Sequence, residues 1–275
     1  MPIGNSDDIS ARALRTLADA DLIACEDTRR TGAILAAHKI KRPLVSCYEH
    51  NEQRRIPDLI ARLERGETVA LVSDAGTPAI SDPGFKLVRA AVEAGIRVSA
   101  VPGPSAAIAA LSISGLPTDR FGFEGFLPER TGQRRAFLDE LAHERRTLIF
   151  YEAGRRLGET LADMSTSFGP ERRAAVIREL TKTHEEAARA TLLELADRYR
   201  EERALGEITI VVEGAADSRA RSSREITVED LTSEGVSLSS ASAIVAKLTG
   251  RGRRELYQDA IKRRTGGASD EDDQD

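Results

Sequence analysis

Residues Val72 to Phe85 read VSDAGTPAISDPGF, which places two glycines, two prolines and two aspartates directly after an apolar run. A plain turn needs fewer special residues. If the run is a strand ending at Ser73, the loop puts Asp74, Gly76 and Thr77 at the carboxyl edge of a sheet, where open α/β proteins bind ligands. Gly76-Thr77-Pro78 then offers bare backbone for close approach of a small molecule. Asp82 and Pro83 suit the start of a helix, the aspartate as cap and the proline at the first helical position. A loop of the same kind, VPGPSAA at Val101 to Ala107, presents helix N-terminal amides beside Ser105. A third, PIGNSDD at Pro2 to Asp8, leads into the helical pattern ISARALRTLADA. Three such loops at one sheet edge would make a composite cleft.

Other signatures of ligand chemistry are missing. There is no Gly-Lys pair, so a P-loop is excluded; GRGRRE from Gly250 lacks the last glycine of a dinucleotide fingerprint, and HEEAA from His184 lacks the second histidine of a zinc-protease motif. Cys25 and Cys47 form no CxxC pair and each sits in a short apolar segment. They are expected to be buried free thiols, with no disulfide framework and no metal site.

The elements that must position these loops alternate. DLIAC, RTGAILAAH, PLVSC, IPDLIARLERG, TVALVSD, GFKLVRAAVEAG and IRVSAV read as strands separated by amphipathic helices between Asp21 and Val101, the pattern of a parallel sheet. The punctuation SGLPTD follows, then a second alternation. RFGFEGFL, RTLIFYE, RRAAVIREL and EITIVVE read as strands, with helices at Gln133 to His143, Arg155 to Phe168 and Thr191 to Glu202. The boundaries expected are a first α/β domain over 1–116, a second α/β or α+β domain over 117–214, a linker over 215–235, a helix-turn-helix-like domain over 236–265 and a disordered acidic tail over 266–275.

The chain of 275 residues has a formal charge of -5, and the closing SDEDDQD alone holds five acids. The remainder is neutral, so local patches matter more than the total. No apolar run approaches the roughly 20 residues of a membrane helix and no leader pattern stands at the N-terminus, which points to a cytoplasmic protein without a membrane partner.

In order along the chain, PIGN, CEDTRRT, YEHNE, VSDAGTPAISDPG, VPGPSA, GLPTDRFGFEGFLP, RTLIFYE, RELTKTHEE and GEITIVV resemble the ribosomal RNA small subunit methyltransferase I family, of the tetrapyrrole-methylase fold group. The resemblance runs from Pro2 to about Val212 and extends to the C-terminal helix pair. It implies two α/β domains of tetrapyrrole-methylase type with the cofactor cleft between them, a small helical C-terminal domain and a homodimer. The implied activity is S-adenosylmethionine-dependent 2'-O-methylation of a cytidine ribose in small-subunit ribosomal RNA, as naked RNA or in the assembled 30S subunit. It also implies an apolar strand ahead of PIGN, which this sequence, starting at Met1, does not contain. By the same resemblance the cofactor should meet Ile3, Gly4, Asp74, Gly76, Thr77, Ile80, Ser105, Ala106, Tyr151, Glu152 and Glu207. A small-molecule methylase on the same fold, or a non-catalytic ribosome-assembly protein, are the alternative readings.

Methyl transfer from a sulfonium is an in-line displacement that asks mainly for alignment and exclusion of water. A ribose hydroxyl also needs a positioned base or a nearby cation. Glu26, Asp27 and Arg29 follow the DLIAC strand, and Glu49, His50 and Asn51 follow PLVSC, at the same presumed edge. Glu26, Asp27, Arg29 and His50 are therefore the catalytic candidates, although Asp27 and Arg29 equally suit a helix cap and its ion pair. For RNA, Arg130, Arg134, Arg135 and Lys182 are candidates, joined by Arg251, Arg253 and Arg254 in the basic stretch RGRRELYQDAIKRR. Phe121 and Phe123 alternate as a buried strand face would.

Overall fold

The computed structural model describes residues 1–202, 204–216 and 226–265. Residues 217–225 of the expected 215–235 linker and all of the expected 266–275 tail lie outside them. Two compact units are present, Met1–Ala215 and Ala216–Asp275.

The first unit contains two sheets. A three-stranded parallel sheet has the order β2-β1-β3, from β1 (Leu22–Cys25), β2 (Leu44–Ser46) and β3 (Val69–Val72). Its strands, apolar but for Ser46, carry helices on both faces, as parallel strands require. On one face Ile23 and Cys25 meet Leu17 of α1 (Ala11–Asp19) and Leu35 of α2 (Thr28–Ala37). On the other, Leu22 and Ala24 meet Leu59 of α3 (Glu52–Glu64) and Leu87 of α4 (Phe85–Glu93).

Two expectations fail here. IRVSAV is not a strand: β3 is the sheet edge among the described residues, and residues 97–100 are exposed with no ladder partner. Asp82 does not cap a helix at Pro83. The helix starts at Phe85 behind Gly84 (φ 128°), and its first-turn amide at Leu87 is capped from another helix by the buried carboxylate of Glu52, at 3.0 Å.

The second sheet has the order β4-β5-β8-β6-β7, from β4 (Phe121–Phe126), β5 (Thr147–Ala153), β6 (Arg173–Arg178), β7 (Glu186–Thr191) and β8 (Glu207–Val212). Only β4 and β5 run parallel. Strand β7, EAARAT, has too weak an apolar alternation to be read from sequence. On β5 the pleat sends Leu148 and Phe150 to one core with α6 (Thr131–Leu141), α7 (Leu157–Phe168) and α8 (Leu192–Glu201), and Ile149 and Tyr151 to the other. That other face is covered by α5 (Ala106–Ser114) through Ala107, Ala110 and Leu111. The helix that leaves the PGPSA loop thus packs on the second sheet, and it fixes the loop relative to β5.

Phe121, at the start of β4, is 39% exposed rather than buried, while Phe123 on the same face packs toward α5 and a register shift between Phe123 and Gly125 precedes the exposed Phe126. Arg134 is buried, with its Nε 2.7 Å from Asp163, which also accepts from Arg135 Nε at 2.7 Å. Arg134 braces α6 against α7 and does not present its charge to RNA, contrary to expectation.

The second unit packs three helices, α9 (Val228–Ser233), α10 (Leu238–Thr249) and α11 (Arg253–Thr265), around Val228, Ala241, Val245, Leu256 and Ala260. Helix α9, with a reciprocal Thr227–Asp230 capping box, adds a third element to the two expected. Within this unit Arg251 pairs with Glu255 and Asp259, and Arg253 bonds to Ser239, which leaves Arg254 the exposed cation of the three with no such tie among the described residues.

Removing one partner of a buried ion pair strands the other charge, at a cost of about 3–5 kcal/mol. Asp163→Ala is therefore expected to lower stability by about that amount in urea unfolding. A loss below about 1 kcal/mol would show that the brace carries no weight.

Candidate functional site

The loops at the carboxyl edge of the first sheet converge on Gly76. Its φ of 70° is a conformation that costs an L-residue about 1–2 kcal/mol. The Met1 ammonium donates to Gly76 O at 2.6 Å and Gly76 N donates to Met1 O at 3.0 Å, so the PIGN loop starts paired to the loop after β3. A Cβ on Gly76 would lie 3.6 Å from Ile3 and 3.8 Å from Pro104 O, and Thr77 Oγ1 donates to the same Pro104 carbonyl at 3.3 Å. Three loops that are distant in sequence therefore share one close approach.

Contacts from the second sheet complete a ring. Gly4 passes so near the turn after β6 that a Cβ would fall 2.5 Å from Lys182 Cγ and 2.8 Å from Thr181 Oγ1, a buried hydroxyl with no hydrogen-bond partner among the described residues. Tyr151 Oη accepts from Ala107 N at 3.2 Å, which ties β5 to the first turn of α5, and burial pushes the Tyr151 phenol up. Phe123 and Phe126 stand edge-on to the Tyr151 ring at 4.8 and 5.5 Å, and Phe126 remains 60% exposed. Gly125 in the β4 bulge approaches Ser81 of the loop after β3. Ala79, Ser81, Glu179 and Thr181 all have positive φ, and backbone strain of this kind concentrates at ligand-binding loops.

Of the residues expected at the cofactor, Ile3, Gly4, Gly76, Thr77, Ser105, Ala106 and Tyr151 lie on this ring, and Ile80 is exposed on the strained loop beside it. Glu207 reaches the ring through its 3.0 Å ion pair with Lys182. Glu152 does not. The pleat points it to the opposite face from Tyr151, where it is buried, accepts from Thr160 at 2.7 Å and pairs with Arg156 at 3.2 Å. Lys182 is held between Glu179 at 2.8 Å and Glu207, so its charge is spent within the protein.

The acid and base candidates separate in the same way. Asp27 caps α2, accepting from Arg29 N at 2.8 Å and pairing with the Arg29 guanidinium at 2.8 Å. Those bonds hold its carboxyl down to about 2, which makes it a poor proton acceptor near neutrality. Asp74 accepts from Asp27 N at 3.1 Å and pairs with Arg30 at 3.3 Å, joining the loops after β1 and β3. His50 lies exposed on a turn with its ring 6.3 Å from Tyr48, while the neighbouring Asn51 is buried and bonded to the backbone of Tyr48 and Ser46.

The residue missed from sequence is Asp82. Burial, then the negative charges of Glu26 and Asp74, raise its carboxyl to about 6, with Ser73 and the Met1 ammonium pulling the other way. Only the fold brings these three acids together, although the second half of TPAISDPG already marked the segment. Among the described residues no group of three His, Cys, Asp or Glu side chains is placed to hold a metal ion. The ring thus offers bare backbone, α5 amides, exposed apolar surface at Ile80 and Phe126, and a cluster of carboxylates that a cation would relieve.

Comparison with known proteins gives the ring a context. Residues 1–196 match the family model of the tetrapyrrole (corrin/porphyrin) methylases. The chain is 51% identical over 259 residues to the ribosomal RNA small subunit methyltransferase I of Xylella fastidiosa, covering 93% of this chain and 95% of that one. It is 49% identical over 267 residues to the Pseudomonas aeruginosa protein of the same name, covering 95% of each. Among solved structures it resembles uroporphyrin-III-C-methyltransferase from Thermus thermophilus, with TM-score 0.55 and 22% identity over 80% of this chain and 94% of that one. Diphthine synthase is similar at TM-score 0.56 and 14% identity, over 77% of this chain and 87% of that one. At these identities the two structures establish the fold.

Two outcomes test the ring. Asp82 protonates at about 6 when folded, against an ordinary value of 3.8, so its penalty is absent below about pH 4, grows as pH rises to 6 and is complete above. Asp82→Asn should leave Tm unchanged at pH 4 and raise it at pH 8 by about 2–4 °C, the shift that about 1 kcal/mol produces at this size. A pH-independent difference would refute the burial and charge crowding of Asp82. Tyr151→Phe should cost about 1 kcal/mol in denaturant unfolding as Ala107 N loses its acceptor; an unchanged midpoint would show that this tie is inert.

Proposed function

We propose, for a chain that belongs to the ribosomal RNA small subunit methyltransferase I family of the tetrapyrrole methylases, that it methylates the 2'-hydroxyl of a cytidine ribose in small-subunit ribosomal RNA. The observation that carries this reading is the near-complete match to relatives of that name at about half identity, over both the ring-forming loops and the C-terminal unit. S-adenosylmethionine, when bound, supplies an electrophilic methyl group on a sulfonium. The site fits such a group on three counts. Gly4 and Gly76 let the loops that frame the cradle pack closely on one another, the Thr181 hydroxyl, unpartnered among the described residues, offers a hydrogen bond, and the Glu26, Asp74 and Asp82 carboxylates complement a cation.

A ribose hydroxyl that accepts this methyl group would have to give up its proton. The protein's part is alignment and proton transfer. Gly76, Thr77 and the Ser105–Ala106 turn would hold the donor at the edge of the first sheet, with Tyr151 and the Thr181–Lys182 turn facing it from the second. Asp82, with Glu26 beside it, is the candidate proton acceptor, since a carboxyl near 6 matches neutral pH better than Asp27 at about 2. Arg130 at the start of α6 and Arg254 in the second unit serve the RNA backbone. The protein works as a cytoplasmic homodimer.

The test is transfer of labelled methyl from S-adenosylmethionine to small ribosomal subunits from a strain lacking the gene, followed by mapping of alkali-resistant ribose positions. The outcome expected is label on a single cytidine ribose, lost at least tenfold in Asp82→Ala. Label on a base, or none with well-folded protein, contradicts the proposal.

A further inference from the structure

Most cations selected from sequence as RNA contacts are engaged within the protein. Arg134 and Arg135 bind Asp163, Lys182 binds Glu179 and Glu207, and Arg251 binds Glu255 and Asp259. A different cluster is not. Between α2 and the edge strand β2 the sequence KIKRP presents Lys39, Lys41 and Arg42, all exposed, with no ion pair or side-chain hydrogen bond among the described residues. They rim an open groove of about 660 Å³ whose floor includes Leu35, Ile40 and Leu44, and no acid lines it.

The backbone under this cluster is tightly built. Ile40 N donates to Leu35 O at 2.9 Å and Lys39 N to Ala36 O at 3.0 Å, the double closure that ends a helix with a left-handed residue. That residue is Lys39, at φ 58°, where glycine is the favoured occupant. A lysine is held there against its conformational preference, and its side chain projects at the groove. The groove lies at the far end of α2 from the cleft, and ten helical residues at about 1.5 Å each put the two about 15 Å apart.

We propose that this groove is an outlying docking surface for the substrate RNA, with Lys39, Lys41 and Arg42 on its phosphates and the Leu35–Ile40–Leu44 floor against a base or ribose. The assignment rests on the RNA-methylation reading and adds where the RNA is gripped. Three unpaired cations without a neighbouring acid complement a polyanion, and their separation from the acidic cleft keeps RNA attraction away from the carboxylates. Binding energy from a surface this remote acts on KM and leaves kcat unchanged.

The experiment measures affinity for naked small-subunit ribosomal RNA across a series of salt concentrations, for the full chain and for the triple variant Lys39→Gln, Lys41→Gln, Arg42→Gln. Three lost phosphate contacts should make the slope of log K against log salt shallower by about 2–3. KM for RNA should rise at least tenfold, with kcat and S-adenosylmethionine affinity unchanged. Lys39→Gly gives a control for folding, because it relieves the left-handed lysine: Tm should hold or rise while the slope still falls by about 1. A wild-type slope in the triple variant, with the native chain methylating RNA normally, overturns the docking surface and leaves the methyltransferase reading intact. A loss confined to assembled subunits, with naked-RNA binding unchanged, assigns the groove to a protein partner and also overturns it. A native chain that neither binds nor methylates RNA refutes the methyltransferase reading itself.

Discussion

The close approach of three backbones at Gly76 is the constraint on which the first unit depends. Only a residue that tolerates φ of 70° can stand there, with Met1 paired to its backbone and Ile3 and Pro104 within van der Waals reach. The consequence spreads outward. Pro104 leads into α5, α5 packs on the second sheet through Ala107, Ala110 and Leu111, and Tyr151 returns a hydrogen bond to the first turn of that helix. The relation of the loops after β3 to the strand β5 is thus set by packing and hydrogen bonding together, as a preorganised binding site requires.

The electrostatics divide the molecule by task. Burial, reinforced by the charges of Glu26 and Asp74, raises Asp82 to about 6, and the nearby Lys182 is neutralised between two glutamates. Such an interior suits a cationic ligand and repels a polyanion. RNA must then be held from elsewhere, and exposed cations occur at the opposite end of α2 and, in the second unit, at Arg254. On the proposed reading, separating the two charges would let a sulfonium donor and a nucleic acid bind without setting one site against the other.

Much of this was legible in the sequence. The strand-helix alternation gave β1, β2, β3 and the helices between them, because period and punctuation are local properties. The glycine and proline loops marked the ring for the same reason. What the sequence hid were consequences of partners. IRVSAV has strand composition, yet no neighbour pairs with it among the described residues, and EAARAT looks unlike a strand but completes a sheet edge. Glu152 and Tyr151 are adjacent in sequence and opposite in the pleat, so one enters the core and the other the ring. Arg134 reads as a surface cation until α7 supplies Asp163. The Lys39 groove escaped because its cations are ordinary in type, and their lack of acidic partners is visible only in three dimensions.

The most direct test of the central claim, that the ring around Gly76 is where the donor binds, is calorimetric titration of S-adenosylhomocysteine into the native chain and into Gly76→Val. A β-branched side chain cannot hold φ of 70° at small cost and would push Ile3 and Pro104 apart. The account predicts saturable binding to the native chain and at least a tenfold loss in a variant whose circular dichroism is unchanged. Equal affinity in the two would place the donor elsewhere and contradict the account.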